Sequence, residues 1–252
     1  MSQPKIHSKT LFHFTNQAGL IGILQSNFRA SFVKERMSQQ NGRNWDYWVP
    51  MLCFCDIPLH LISDHINQYG QYGLGLSREW ALRSKLNPVF YYQPSSLLFD
   101  EFDSMMTLQH EDHSGLIKEG MLIKSTHNIY LKTRYLLQYF KPWFGYDFKL
   151  NKERRFYDER EWRYVPLAEG CFESIYNDDN EFASKKDEYY KKLRVPNLVF
   201  APKDINYIVL HEESERYDIV QRIREIKGKY SYRDVETLIS KVITVEQIED
   251  DI

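Results

Sequence analysis

Met51-Leu52-Cys53-Phe54-Cys55 is the stretch on which the fold turns. An apolar run closed by Asp56-Ile57-Pro58 reads as a buried strand, with Cys53 and Cys55 on one side of it. Pro58 suits the first turn of a helix that carries Leu59, Ile62 and Ile66 at helical spacing. Tyr69-Gly70-Gln71-Tyr72-Gly73 breaks that helix, and Leu74-Gly75-Leu76 is a second strand. Ser77 caps a further helix with Leu82 and Leu86 inward. Asn87-Pro88 ends it, and Val89-Phe90-Tyr91-Tyr92 is a third strand. Upstream, Leu11-Phe12-His13-Phe14 is a short strand, and Thr15 or Asn16 caps a helix from Ala18 to Ser26. Asn27 to Ala30 leads toward another strand, and Lys34 to Tyr47 has the polar composition of a loop.

Residues 93–150 read as mostly helical, a helical insertion or lid. Its clearest helix holds Ile129, Thr133, Leu136 or Leu137, and Phe140, and is closed by Pro142. A strand follows around Trp162 to Val165. Residues 169–194 form an exposed loop with a helix over Lys185 to Lys192. Leu198 to Phe200 and Ile205 to Leu210 are late strands. Tyr217, Val220, Ile223 and Ile226 mark an amphipathic helix, and a last strand or helix spans Val235 to Val245 before an acidic, fraying tail. Strands and helices mix without regular alternation, and no repeat or linker divides the chain. The expectation is one α+β domain over residues 1–252 with a split, antiparallel-rich sheet.

The 252 residues are 42% hydrophobic and 27% charged, with a net charge of -2. That balance exerts no general pull toward nucleic acid or membrane. The polar N-terminus lacks a signal-peptide core and no apolar run reaches membrane-spanning length, so the expected location is cytoplasmic. Three cysteines, Cys53, Cys55 and Cys171, do not make a disulfide framework. Aromatics reach 15%. They fit either a tyrosine-rich core or a cleft that stacks a planar ring.

Four clusters could carry chemistry. His13-Phe14-Thr15 puts an imidazole on a strand that leads into a helix N-terminus, either as a structural histidine or as a donor to a sugar or amide. Gln68 to Ser77 combines glycines with tyrosines, either as a tight turn or as a place where backbone approaches a ligand. Asp158-Glu159-Arg160-Glu161-Trp162-Arg163 places Glu159, Glu161 and Arg163 on one strand face. That face is either a solvated edge or a working site. Lys149, Lys152, Arg154 and Arg155 form a basic run, either a solvated loop or a phosphate contact. No P-loop, Gly-x-Ser-x-Gly or His-Glu-x-x-His motif occurs, and His110 and His113 near Glu111 and Asp112 are, without further ligands, a weak metal signal.

The order of these clusters carries a resemblance. Leu11-Phe12-His13-Phe14-Thr15 with Leu20-Ile21-Gly22-Ile23-Leu24 resembles the opening of DarT-like proteins and RNA 2′-phosphotransferases, of the ADP-ribosyltransferase superfamily. Met51 to Pro58, His65, Tyr69-Gly70, Tyr72 to Leu76, Trp80 and Asn87 to Tyr92 resemble the AbiGi family of abortive phage-resistance proteins. The resemblance implies a split-sheet fold of ADP-ribosyltransferase type with NAD as substrate in a central cleft. His13, with Phe14 and Thr15 beside it, would hold the NAD ribose or nicotinamide amide. Tyr69 or Tyr72 would stack the nicotinamide, with Ser77 as a further middle-strand candidate. Glu161 would be the catalytic carboxylate with Glu159 its neighbour, stabilising an oxocarbenium-like ribose. The acceptor would be a nucleic acid or a protein. The alternative that the resemblance implies is a non-catalytic, antitoxin-type module that binds a co-encoded toxin or antitoxin partner.

Overall fold

The computed structural model describes residues 9–38, 44–120, 124–166, 179–193 and 197–251. In chain order the elements are β1 (Thr10–Thr15), α1 (Gln17–Ser26), β2 (Ser31–Ser38), β3 (Asn44–Cys55), α2 (Ser63–Tyr69), β4 (Tyr72–Ser77), α3 (Arg78–Arg83), β5 (Asn87–Pro88) and β6 (Phe90–Tyr92). Then come α4 (Leu97–Lys118), α5 (Lys124–Leu137), β7 (Phe140–Pro142), β8 (Phe144–Asp147), β9 (Lys152–Arg155), β10 (Glu161–Tyr164) and α6 (Asp179–Lys192). The C-terminal part adds β11 (Ile205–Leu210), α7 (Arg216–Lys227), α8 (Tyr232–Ile239), β12 (Val242–Thr244) and α9 (Val245–Asp251).

Eight strands form the main sheet in the order β12-β11-β4-β1-β3-β10-β5, with β2 paired to β3. Every pairing in it is antiparallel except β11 with β12. The mixed α+β, antiparallel-rich architecture expected from the sequence is present. The sheet is nearly divided: β1 and β3 share the single register pair Phe12↔Cys55, whereas β1 matches β4 over six residues and β3 matches β10 over four. The β6–β7 and β8–β9 ribbons stand apart from this sheet.

Alternation along β1 and β3 sorts three cores. Leu11, Leu52, Phe54, Leu74 and Leu76 pack with Phe28, Trp80 and the inner residues of α1, α7 and α8 on one face. Phe12, Phe14 and Cys55 pack on the other face with Ile62 and Ile66, beneath α9. Met37, Tyr47, Val49 and Met51 meet Phe99, Met106 and Leu137 of the α4–α5 hairpin. Capping fixes the helix starts: Asn16, rather than Thr15, accepts from the Gly19 amide at 2.8 Å, and Ser77 accepts from the Trp80 amide at 3.1 Å. Gly70, at φ +124°, ends α2 where an added Cβ would lie 2.2 Å from the Thr15 carbonyl oxygen.

Several expected elements are corrected. The polar stretch from Lys34 to Tyr47 belongs mostly to the β2–β3 hairpin, one face of which carries cross-strand ion pairs such as Arg36 with Asp46 while Met37 and Tyr47 on the other face enter a core. The helical reading of 93–150 holds only to Leu137. Phe140 and Pro142 lie in β7, and Ile129 and Leu136 face outward. Leu82 is also exposed, while Trp80 and Ala81 fill the core. Leu198 to Phe200 make only an isolated bridge from Leu198 to Phe28. The inner face of α7 is Ile219 and Ile223, and Tyr217 is exposed. Cys171 and the part of the expected loop from 169 to 178 lie outside the described residues. Among the described residues no helix is long and apolar enough to cross a membrane.

Candidate functional site

A cavity of about 490 Å³ opens where β1 and β3 part. Its walls include Phe12 and Phe14 of β1, Met51 to Cys55 of β3, and His65 and Tyr69 of α2. The β8–β9 ribbon contributes Tyr146 and, from the turn that joins its strands, Phe148 and Lys149, and Trp48 and Phe156 complete an aromatic lining. Its polar floor is Lys141, Glu159 and Glu161. The volume lies within the range of about 300–1,000 Å³ usual for small-molecule sites.

The floor is a closed network of ions. The Lys141 ammonium donates to Glu159 Oε2 at 2.8 Å and Glu161 Oε2 at 2.7 Å. The Arg163 guanidinium, with no exposed surface, donates through Nε to Glu161 Oε1 at 2.6 Å and through Nη2 to Glu35 at 3.1 Å. Arg163 Nη1 donates to the Gln138 carbonyl at 2.8 Å. Glu159 is also held by Arg154 and the Tyr69 hydroxyl. Burial alone would raise the Glu161 carboxyl, but Arg163 and Lys141 outweigh it and hold the group well below the ordinary carboxylate range. Burial opposes the Lys141 charge too, yet Glu161 and Glu35 keep that lysine protonated, above its ordinary value. The Tyr69 phenol is pushed up to about 12 by burial.

The sequence-derived candidates are partly gathered here. Glu161, Glu159, Tyr69 and Phe14 line the cavity. Glu159 is not on the strand with Glu161, however. It ends a 3-10 turn over Phe156–Glu159, and Arg160, at φ 45°, turns the chain into β10. Nor is β10 a solvated edge, since it lies between β3 and β5 with Glu161 and Arg163 buried. His13 reaches the cavity wall from the opposite face. In register, Phe12, Cys55 and Glu161 share one face, and His13 alternates to the other. Its ring packs edge-on to Phe28 and against Phe54, and Nδ1 donates to the Cys53 carbonyl at 2.8 Å. That bond satisfies a β3 backbone oxygen just beyond the point where the strands part. Burial lowers the His13 pKa despite the Cys53 contact and keeps the ring neutral.

Three candidates lie off the cavity. The Tyr72 hydroxyl donates to the Glu215 carboxylate at 2.5 Å, Ser77 is the cap of α3, and Thr15 ends β1. The basic run is divided as well. Arg154 turns inward to Glu159 and Asp147, Arg155 pairs with Asp158, and only Lys149 of the run faces the cavity, 4.9 Å above the Tyr69 ring. Lys141 was missed by sequence reasoning, because Pro142 reads as a helix stop. Its signal is a lysine between Phe140 and Pro142 in a short apolar segment. His113 meets His127 at 3.0 Å, and among the described residues no three His, Cys, Asp or Glu side chains converge as for a metal ion.

Comparison with known proteins adds family information to this geometry. The profile of a family described as "Putative abortive phage resistance protein AbiGi, antitoxin" matches residues 27–211. The chain is similar to an abortive phage resistance protein AbiGi of Lactococcus lactis subsp. cremoris, 28% identical over 241 residues that cover 86% of this chain and 94% of that protein. No solved structure matches the chain.

Proposed function

Because this chain belongs to the AbiGi family of abortive phage resistance proteins, we propose that it serves that defence as an antitoxin-type module that acts by binding a co-encoded partner. One observation carries the choice of binding over catalysis: both oxygens of Glu161 are taken by the buried cations Arg163 and Lys141. A carboxylate that stabilises a cationic sugar needs an oxygen aimed at the reacting centre. Here the charge is already neutralised within the protein. The placement of Tyr72 and Ser77 off the cavity, and of the His13 ring across the sheet, supports the same reading. The test is co-expression with the product of the neighbouring gene. A tight complex is expected, with no NAD consumed by the chain alone or in extract of phage-infected cells. NAD turnover by the wild-type chain, lost in a folded Glu161→Gln variant, would overturn the proposal.

The cavity favours a second reading, ADP-ribosyl transfer from NAD to a nucleic acid or protein. In it Tyr69 stacks the nicotinamide, and a ribose hydroxyl displaces Lys141 from Glu161. What supports it is that Tyr69, Glu159 and Glu161 share one aromatic-walled space of suitable size. Calorimetric titration of NAD into wild type and Tyr69→Ala distinguishes the two: saturable binding lost in the variant favours transfer, and its absence removes this reading.

A further inference from the structure

We infer that the α4–α5 hairpin is a dimer interface whose occupant is a second copy of this chain. The two helices run antiparallel, with His113 against His127 and His110 against Tyr130. Their inner faces bury Phe99, Met106 and Leu137. Their outer faces set exposed apolar side chains among charged ones. On α4, Leu97 is 83% exposed, Leu98 61% and Leu108 58%, with Met105 beside them. On α5, Ile129 is 56% exposed and Leu136 57%. Single exposed leucines are ordinary, but this set lies in stripes on two adjacent helices.

The charges between these residues say what covers them. The α4 stripe is interleaved with Glu101, Glu111 and Asp112, and the helix holds five acids against one lysine. The α5 stripe is interleaved with Lys124 and Lys132, and that helix holds no acid. Among the described residues none of these five charges has an ion-pair partner in its own chain. An acidic, apolar stripe recognises a cationic amphipathic helix, and α5 is one. A two-fold axis lets α4 of each copy meet α5 of the other, so the same complementary contact forms twice. With α4 about 33 Å long at 1.5 Å per residue, the doubled contact suits the roughly 800 Å² per subunit of a stable dimer. The inference holds under either functional reading.

The test is sedimentation velocity on the full chain between about 1 and 100 μM, a range that brackets micromolar dissociation constants. A dimer is expected. Met105→Glu with Leu108→Glu should give a monomer whose circular dichroism matches wild type, since both side chains are outside the core. Glu101→Lys with Asp112→Lys should weaken the dimer by at least about tenfold. Adding Lys124→Glu and Lys132→Glu to that same chain should restore it, because opposite charges face each other again. A wild-type monomer at the top concentration overturns the inference. So does a dimer indifferent to these changes, or a monomer whose stripe captures only the co-encoded partner.

Discussion

Replacing Lys141 by Met tests the network beneath the cavity. The ammonium is buried and bridges Glu159 and Glu161, so its removal leaves two buried carboxylates with one cation fewer between them. Breaking a buried pair by deleting one partner costs about 3–5 kcal/mol. The lower end applies here, since Arg163 still holds Glu161 and Arg154 still holds Glu159. At roughly 2–4 °C per kcal/mol for a chain of this size, the melting temperature should fall by about 6–12 °C. Calorimetry and urea unfolding at neutral pH measure both quantities. The pH dependence adds a signed check. The folded-state pKa of Glu161 is depressed, so its stabilising contribution is fully present above the unfolded value of about 4.3 and is lost only as pH falls through the lower folded value. In Lys141→Met the remaining cations hold the carboxylates less strongly, and protonation relieves the variant at a higher pH. The stability gap between variant and wild type should therefore narrow as pH falls from about 7 to 4. A loss below about 1 kcal/mol, typical of an exposed pair, would refute the argument, as would a gap that widens in acid.

Three further outcomes are expected. The buried Lys227 ammonium donates to the Leu24 carbonyl at 2.6 Å beside the Phe200 ring, and burial pulls its pKa down to about 8. The folded state then binds fewer protons than the unfolded chain between about pH 8 and 10, so the urea midpoint should rise across that interval, and Lys227→Met should remove the rise. Gly70→Ala would drive a Cβ onto the Thr15 carbonyl at positive φ, costing at least about 2 kcal/mol by urea unfolding, and a change under about 0.5 kcal/mol would contradict the packing. Burial pushes the Cys55 thiol well up while Sγ contacts the Phe12 carbonyl, so Cys55 should resist an aromatic disulfide reagent near pH 8 until the protein unfolds, and rapid labelling of the native chain would refute this.

Local signals carried much of the fold into the sequence. Ser77 caps α3 because its hydroxyl needs only the amide three residues on, and Met51 to Cys55 form a strand because apolar side chains line both of its faces. The β2–β3 hairpin was illegible for the opposite reason. Its strands are held by Arg36–Asp46 and Lys34–Asp46 pairs whose partners are known only once the register is set. At the site, the Glu161–Arg163 pairing followed from strand alternation, but Lys141 comes from β7, twenty residues upstream, and no spacing rule connects the two. Alternation also bore on His13. With Phe12 on the Glu161 face, its neighbour must point away, but only the register Phe12↔Cys55↔Glu161 discloses that Phe12 has that face.

The long third strand has a consequence for how the chain comes to be folded. Its first eight residues pair with β2, a neighbour in sequence, while its last four await β10, roughly a hundred residues later. During synthesis the hairpin can form early. The edge at Leu52 to Cys55, however, stays open while the ribosome makes α4, α5 and both small ribbons. A nascent chain halted in that interval would present an unpaired apolar strand, the kind of edge that recruits chaperones or pairs with the same strand of another chain. Release of residues 161–164 closes this edge and, in the same event, delivers Glu161 and Arg163 to Lys141, so the buried charges need not be stranded in a half-built core.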